Sequence, residues 1–187
     1  MTSPFPRLRH PRFGNIAPSP APGQKVVIIV VMGVSGCGKS TVGAALAQAL
    51  GWPFLDADEF HPPENVAKMA SGVPLTDADR VPWLDRVGRE LRGIESDGSN
   101  AVLACSALKQ RYRDRLAVSP DVRFVYLKGD LATIAARLRE RRHKYMPASL
   151  LQSQFAALEE PTDALAVDIR ESIDDEVAAI RAGLALS

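Results

Sequence analysis

The sequence predicts an α/β fold in which a five-stranded parallel sheet is flanked by helices. Segments typical of strands alternate with segments typical of helices along the 187 residues, which is the pattern of parallel strands joined by crossover helices. A glycine-rich stretch, residues 33–40, follows the most apolar strand candidate directly. We expect one domain over residues 25–187, because a chain of this length with 46% hydrophobic residues can bury one sizeable core.

The predicted elements follow from short apolar runs bounded by turn residues and from apolar residues at helical spacing. The first strand is almost wholly apolar, as a strand buried on both faces is. The five strands are expected at residues 25–32, 53–56, 101–105, 122–127 and 165–168. The helices are expected at residues 40–50, 63–70, 82–96, 107–117, 131–142, 147–158 and 174–185.

Residues 1–24 have a different composition from the rest of the chain. They hold six of the fourteen prolines and three arginines, with no acidic residue. The segment has neither a continuous apolar region nor an amphipathic pattern, so a targeting peptide is not indicated. We expect a disordered, proline-rich tail.

Charge and cysteine content narrow the function classes. Lysine and arginine total 23 and aspartate and glutamate total 22, so no overall basic field is available to hold nucleic acid. Cys37 and Cys105 make no disulfide framework and fit a reducing compartment, so a cytoplasmic protein is expected. No apolar run reaches the roughly 20 residues of a membrane span. A small-molecule partner is therefore favoured.

The stretch at residues 33–40 fits the pattern G-x-x-x-x-G-K-[ST] between a strand and a helix, which indicates a phosphate-binding P-loop. Backbone N–H groups and the helix dipole favour phosphate, Lys39 reaches the β and γ phosphates of ATP, and the Ser40 hydroxyl binds Mg²⁺. The expected nucleotide-binding residues of the loop are Gly33, Ser35, Gly36, Cys37, Gly38, Lys39, Ser40 and Thr41. A P-loop after the first of five strands predicts a small kinase fold like that of the nucleoside monophosphate kinases.

Asp56 and Asp58 lie at the end of the second predicted strand, where ligands gather in an open α/β sheet. Alternation along an extended chain places both carboxylates on one side. One can orient Mg²⁺ while the other accepts a substrate hydroxyl and its proton. The alternative for either residue is a cap on the following turn. No acidic residue closes the third strand, so the metal role falls on Ser40 and Asp56.

Two further segments are expected to surround the ligands. Residues 60–97 are turn-rich at their start and are expected to cover a substrate, and residues 137–147 concentrate cationic side chains and are expected to form a lid. Arg137 and Arg141 are four residues apart on a predicted helix and can enclose a triphosphate. A solvated basic face is the rival interpretation.

Several motifs, spread over roughly residues 26–170, together resemble the gluconokinases. They are the P-loop from Met32 to Ser40, Asp58-x-x-His61-Pro62, Asn65-x-x-Lys68-Met69, Gly72-x-Pro74-Leu75-x-Asp77-x-Asp79-Arg80-x-Pro82-Trp83-Leu84, Cys105-Ser106-Ala107-Leu108-Lys109, Tyr112-Arg113-Asp114, Tyr126-Leu127-Lys128-Gly129 and Leu150-Leu151-x-Ser153-Gln154-Phe155-x-x-Leu158-Glu159. The chain departs from the family pattern at Cys37, where serine is common, and around His143, to which no family role is transferred.

The resemblance implies an ATP-dependent kinase that converts D-gluconate to 6-phospho-D-gluconate, and a homodimer. It implies that Asp58 binds or deprotonates the accepting hydroxyl. The position of Arg141 in the cationic lid, rather than the resemblance, predicts that Arg141 assists the transfer. The implied substrate-binding residues are Asp58, His61, Arg80, Lys109, Arg113 and Gln154. Trp83 is expected either to stack on the polyol or to belong to the core.

Two alternatives remain open at this stage. A related small-molecule kinase, such as a shikimate kinase, shares the P-loop and the paired aspartates but is not expected to carry the Asp77 to Trp83 motif or the Cys105 to Lys109 motif. A nucleotide-dependent regulator has no reason to pair Asp58 with convergent cations, and it would bind ATP without acceptor-dependent turnover.

Overall fold

The computed structural model describes residues 25–140 and 148–186 of the chain. Five parallel strands form one sheet in the order β2-β3-β1-β4-β5, which confirms the predicted fold class. The strands are β1 (Ile28–Met32), β2 (Phe54–Asp56), β3 (Ala101–Ala104), β4 (Val122–Lys128) and β5 (Leu165–Asp168). The predicted tail and part of the predicted lid lie outside the described residues.

Seven α-helices and one short 3-10 helix connect the strands within the described ranges. They are α1 (Lys39–Leu50), the 3-10 helix (Ala57–Phe60), α2 (Pro63–Ala70), α3 (Asp77–Ser96), α4 (Gln110–Leu116), α5 (Leu131–Glu140), α6 (Ala148–Ala157) and α7 (Ile173–Gly183). In the parts of the chain that the structure describes, no helix combines the length and the apolar character required to cross a bilayer.

The central strand β1 divides the hydrophobic core into two layers. Ile28 pairs in register with Ala101 on one side and with Val122 on the other, and every residue of β1 is buried. Because side chains alternate along a strand, Ile28, Val30 and Met32 join the layer formed with α3 and α4. Ile29 and Val31 join the layer formed with α1, α5, α6 and α7. Burial on both faces explains the continuous apolar run.

Helix α3 begins at Asp77, so the predicted start at residue 82 is wrong. A capping box sets the true start: the Thr76 hydroxyl accepts a hydrogen bond from the Asp79 N–H at 3.2 Å, and the Asp79 carboxylate accepts one from the Thr76 N–H at 2.8 Å. Pro82 therefore lies inside the helix and leaves one backbone acceptor without its usual partner.

Two smaller differences from the predicted elements lie in the loops that follow β2 and β3. Helix α4 begins at Gln110 rather than at residue 107, since Ala107 has a positive φ of 43° and belongs to a loop after β3. The 3-10 helix after β2 was not predicted; it carries Asp58. All five strands end at the same edge of the sheet, so these loops lie beside the P-loop.

Candidate active site

The P-loop requires glycine at positions where a side chain does not fit. Gly33 has a φ of 143°, and a Cβ built there lies 3.0 Å from the Leu127 carbonyl oxygen. Gly38 has a φ of 110° and precedes α1 without a side chain that caps the helix. The first N–H groups of α1 therefore remain available to a phosphate, and the helix dipole favours its charge.

Ser40 and Asp56 lie in direct contact beside the P-loop. The Ser40 hydroxyl donates a hydrogen bond to one Asp56 oxygen at 2.7 Å, and the other Asp56 oxygen accepts one from the Asp58 N–H at 3.1 Å. Asp56 thus both caps the turn and faces Ser40. A hydroxyl and a carboxylate at this distance fit Mg²⁺, which takes one or two protein ligands and completes its shell with phosphate oxygens and water.

One pocket joins the P-loop to most of the expected substrate residues. Ser35, Lys39, Asp58, His61, Arg80 and Gln154 all line this pocket, which we call the acceptor pocket. The Lys39 ammonium donates to the Val34 carbonyl at 3.0 Å, within the loop itself. A phosphate would offer this ammonium a charged acceptor in place of a neutral carbonyl, so the contact is readily exchanged.

Asp58 projects into the acceptor pocket with a side chain that is 82% exposed. One of its oxygens lies 3.9 Å from Nε2 of His61, whose side chain is only 4% exposed. The carboxylate is accessible to a substrate hydroxyl and is held in place through its backbone by Asp56.

His61 is fixed by an aromatic stack and by the amide of Asn65. Its ring lies 4.2 Å from the Trp83 ring with an interplanar angle of 15°, and Asn65 Nδ2 lies 3.4 Å from its Nδ1. With Asn65 as the donor, the proton of a neutral ring is on Nε2, which faces Asp58. Burial lowers the pKa of His61, which favours the neutral ring.

Trp83 belongs to the core, in agreement with one of the two expectations for it. Its side chain is buried in the α3 layer, and its indole N–H donates to the Ala57 carbonyl at 2.7 Å. The indole therefore anchors the 3-10 helix that carries Asp58 and supports His61 with one face.

Arg80 and Lys109 line a second pocket that shares Ser106, Leu108 and Gln154 with the acceptor pocket. Arg80 donates to the Leu75 carbonyl at 2.5 Å. Lys109 lies 3.0 and 3.2 Å from the two carboxylate oxygens of Asp77.

Asp77 is the centre of a small polar cluster at the start of α3. It accepts hydrogen bonds from Tyr112, Lys109 and Arg111. The Tyr112 hydroxyl, followed by Lys109, lowers the pKa of Asp77 to about 2. No pattern in the sequence identifies Asp77 as the partner of Lys109, Arg111 and Tyr112.

Arg113 is not in the acceptor pocket. Its side chain is buried, with the residue 3% exposed, and its guanidinium donates to the carbonyls of Ala107 and Leu108 at 3.2 and 3.3 Å and to Gln110 at 2.7 Å. These bonds hold the loop in which Ala107 has a positive φ. The structure therefore gives Arg113 a supporting position behind the substrate loop rather than the expected direct contact.

Gln154 on α6 connects the acceptor side to the P-loop. Its carbonyl oxygen accepts from the Ser35 N–H at 2.7 Å, and its amide nitrogen donates to the Ser35 hydroxyl at 3.0 Å. Sequence reasoning placed Gln154 at the pocket but missed this pair of bonds.

Arg137 lies at a different pocket on the other side of the P-loop. That pocket is lined by Gly38, Thr41, Val42, Arg137, Glu171, Ile173 and Glu176, and we call it the Glu176 pocket. Arg137 donates to the Ile169 carbonyl. The expected partner of Arg137, Arg141, lies outside the described residues.

Glu176 was not predicted from the sequence. The residue is 2% exposed, and burial raises the pKa of its carboxyl to about 7. A signal was present, since Glu176 precedes the buried Ile180 by one helical turn and so shares the inward face of α7.

Comparisons with known proteins identify the family of the chain. The family model for shikimate kinase matches residues 35–180. The gluconokinase of Gluconobacter oxydans strain 621H is 50% identical over 75% of this chain and 80% of its own length, and the thermosensitive gluconokinase of Escherichia coli K12 is 42% identical over 77% and 80%. A solved gluconokinase from Sinorhizobium meliloti 1021 is 45% identical, covers 87% of this chain and 94% of its own, and gives a TM-score of 0.78. The chain belongs to the gluconokinase family of P-loop kinases.

Proposed function

We propose that the protein transfers the γ-phosphoryl group of ATP to D-gluconate and forms 6-phospho-D-gluconate. One observation carries this proposal: a single pocket brings Lys39 of the P-loop together with Asp58, His61, Arg80 and Gln154. Phosphoryl transfer requires a held triphosphate, an in-line hydroxyl and neutralised charge, and these side chains are of the types that supply them. Relatives named gluconokinase support the choice of acceptor.

On the donor side, the N–H groups at the start of α1 bind the phosphates and Lys39 exchanges the Val34 carbonyl for a phosphate oxygen. Ser40 and Asp56 would hold Mg²⁺, and the bound ion would neutralise charge on the phosphate oxygens. Thr41 and Arg137 bind the nucleotide farther along the loop. Arg141 is proposed to stabilise the transferring group.

On the acceptor side, Asp58 receives the proton of the gluconate hydroxyl as the hydroxyl oxygen attacks the γ-phosphorus. The bond between this phosphorus and the β–γ bridging oxygen breaks, and ADP leaves with its electron pair. The neutral ring of His61 suits this role of Asp58, because its Nε2 lies 3.9 Å from the carboxylate without the full positive charge that would make Asp58 a poorer base. Trp83 keeps the ring in place.

Arg80 and Lys109 select a sugar acid over a neutral sugar. Both cations line the pocket next to the acceptor pocket, where they can bind the gluconate carboxylate. Asp77 holds Lys109 in position for this contact. Arg113 contributes through the loop that it holds, and Gln154 links the bound acid to Ser35.

We also propose a homodimer that acts in the cytoplasm. The two buried, free cysteines suit a reducing compartment, because neither needs a disulfide for stability. Light scattering coupled to gel filtration measures the oligomeric state: a mass of twice 20.2 kDa is expected, and a monomer would contradict the dimer.

Shikimate is a second candidate acceptor, favoured by the matching family model. It is also a carboxylated polyol, so the same cations can bind it. The relatives that are 42% and 50% identical carry the name gluconokinase, which favours gluconate.

A coupled assay of ADP release tests the proposal. Mg-ATP is incubated with gluconate, related sugar acids, glucose, shikimate or nucleoside monophosphates. We expect gluconate to give the highest kcat/KM and the neutral sugar glucose to give none above background. A faster reaction with shikimate would transfer the assignment to the second candidate, and ATP binding without any acceptor-dependent turnover would favour a regulator.

A further inference from the structure

The Glu176 pocket lies apart from the acceptor pocket but begins at the same P-loop. Gly38 and Thr41 at the start of α1 form one wall, and Ile173 and Glu176 of α7 form another. A nucleotide whose phosphates bind the loop can therefore extend its remaining part into this pocket.

The chemical character of the pocket suits a flat aromatic base. Val42 and Ile173 provide apolar contact, and Arg137 provides a guanidinium, which stacks well on aromatic faces. Arg137 is held by the Ile169 carbonyl, so its position is defined before a ligand arrives.

Glu176 adds one polar group to these walls. Among the residues that the structure describes, its Oε2 is buried and has no hydrogen-bond partner. Burying a carboxyl oxygen without a partner is unfavourable, and such an atom in a folded protein calls for an explanation, such as a bound water, ion or ligand. Glu176 is one of the residues that line the pocket, so a ligand bound there can supply the missing donor.

We infer that the Glu176 carboxyl accepts a hydrogen bond from the exocyclic amino group of adenine and thereby selects ATP among nucleoside triphosphates. The inference rests on the proposed use of the P-loop for a triphosphate. Guanine carries a carbonyl oxygen at the position of the adenine amino group, and two acceptors facing each other repel. A purine without the amino group leaves the buried carboxyl unpaired, which hydrogen-bonding sites penalise strongly.

A purely structural role for Glu176 is the competing explanation. Arg137 attracts the negative charge of the carboxyl, and on this explanation Glu176 serves only to balance the charge of Arg137. The two roles predict different effects of replacing Glu176. Loss of charge balance would change the affinity for all nucleotides alike, whereas loss of base recognition would change the affinity only for nucleotides that carry the amino group.

Titration calorimetry of ATP and of purine riboside triphosphate, which lacks only the amino group, tests the inference without any acceptor. The wild type should bind ATP at least about 10-fold more tightly, and Glu176→Leu should bind both nucleotides equally. Glu176→Gln keeps a carbonyl acceptor and should retain much of the preference. Asp174→Asn, an exposed change on the same helix, is the matched control and should behave as the wild type.

The outcomes separate this inference from the proposed function. Equal binding of the two nucleotides by the wild type, or an unchanged preference in a folded Glu176→Leu variant, would overturn base recognition by Glu176. If thermal melts show that Glu176→Leu does not fold, the comparison of Glu176→Gln with the wild type decides. An equal loss of affinity for both nucleotides in Glu176→Gln would contradict the inference. Failure to phosphorylate gluconate would leave these binding results intact, whereas absence of ATP binding would overturn both.

Discussion

Replacing Asp58 by asparagine separates catalysis from stability more cleanly than other changes in the acceptor pocket. The Asp58 side chain is 82% exposed, and among the described residues its ion-pair partner is His61, whose Nε2 lies 3.9 Å away. Its backbone N–H, which binds Asp56, is unaffected by the substitution. We therefore expect the free energy of unfolding to change by less than about 0.5 kcal/mol.

The expected loss of activity is much larger. A positioned general base contributes about 10² to 10⁴ in rate, equivalent to roughly 2.7 to 5.4 kcal/mol of transition-state stabilisation. Asparagine keeps the size and a hydrogen-bond acceptor but cannot take the proton of the hydroxyl. Asp58→Asn should therefore lower kcat by at least about 100-fold while KM for gluconate changes little.

Steady-state kinetics with varied gluconate, together with thermal melts, check this expectation. Glu59→Gln is the matched control, because Glu59 is exposed on the same 3-10 helix and does not line the acceptor pocket. An Asp58→Asn enzyme with normal kcat and a raised KM would refute the base and leave Asp58 as a binding residue.

Three further predictions follow from the contacts of single side chains. Arg113→Ala should lower the free energy of unfolding by about 2–4 kcal/mol, because two loop carbonyls lose a buried donor. Denaturant titration measures this change. An unchanged stability with a raised KM for gluconate would instead indicate that Arg113 binds the substrate directly. Asp56→Asn should raise the Mg²⁺ concentration for half-maximal activity by about 10- to 100-fold in a metal titration, and an unchanged value would remove Asp56 from the metal site. The raised pKa of Glu176, about 7 against an ordinary 4.5, means that the folded state binds an extra proton between these values, so its contribution to stability is lost as pH rises through that window. Thermal melts should accordingly show Glu176→Gln gaining stability over the wild type at pH 8 and losing that gain near pH 4.5; a gain independent of pH would contradict the raised pKa.

Strand positions and the P-loop were predictable because their signals are local. A buried parallel strand such as β1 has to be apolar on both faces, and the P-loop has to carry glycine where φ is positive. The pattern that results needs no knowledge of distant residues.

Helix boundaries and the roles of charged residues depended on tertiary context. The start of α3 is set by the Thr76 to Asp79 capping box, although Pro82 is a residue often found at helix starts. Arg113 belongs to a run of similar cations, and only the fold shows that it turns inward while Arg111 and Arg115 stay at the surface.

Pairings between side chains that are distant in the sequence could not be predicted either, because they also depend on tertiary context. Ser35 and Gln154 are separated by 119 positions, and nothing local to either residue indicates their two hydrogen bonds. The stack of His61 on Trp83 likewise depends on how α3 packs against the 3-10 helix.

Identification of the product tests the central claim most directly. Mg-ATP and gluconate are incubated with the protein, and phosphorus and carbon NMR spectra locate the new phosphate ester. The proposed function predicts one product, with phosphate on the C6 oxygen of gluconate and one ADP formed per ester. Phosphate on another oxygen, or release of ADP and inorganic phosphate without an ester, would contradict it.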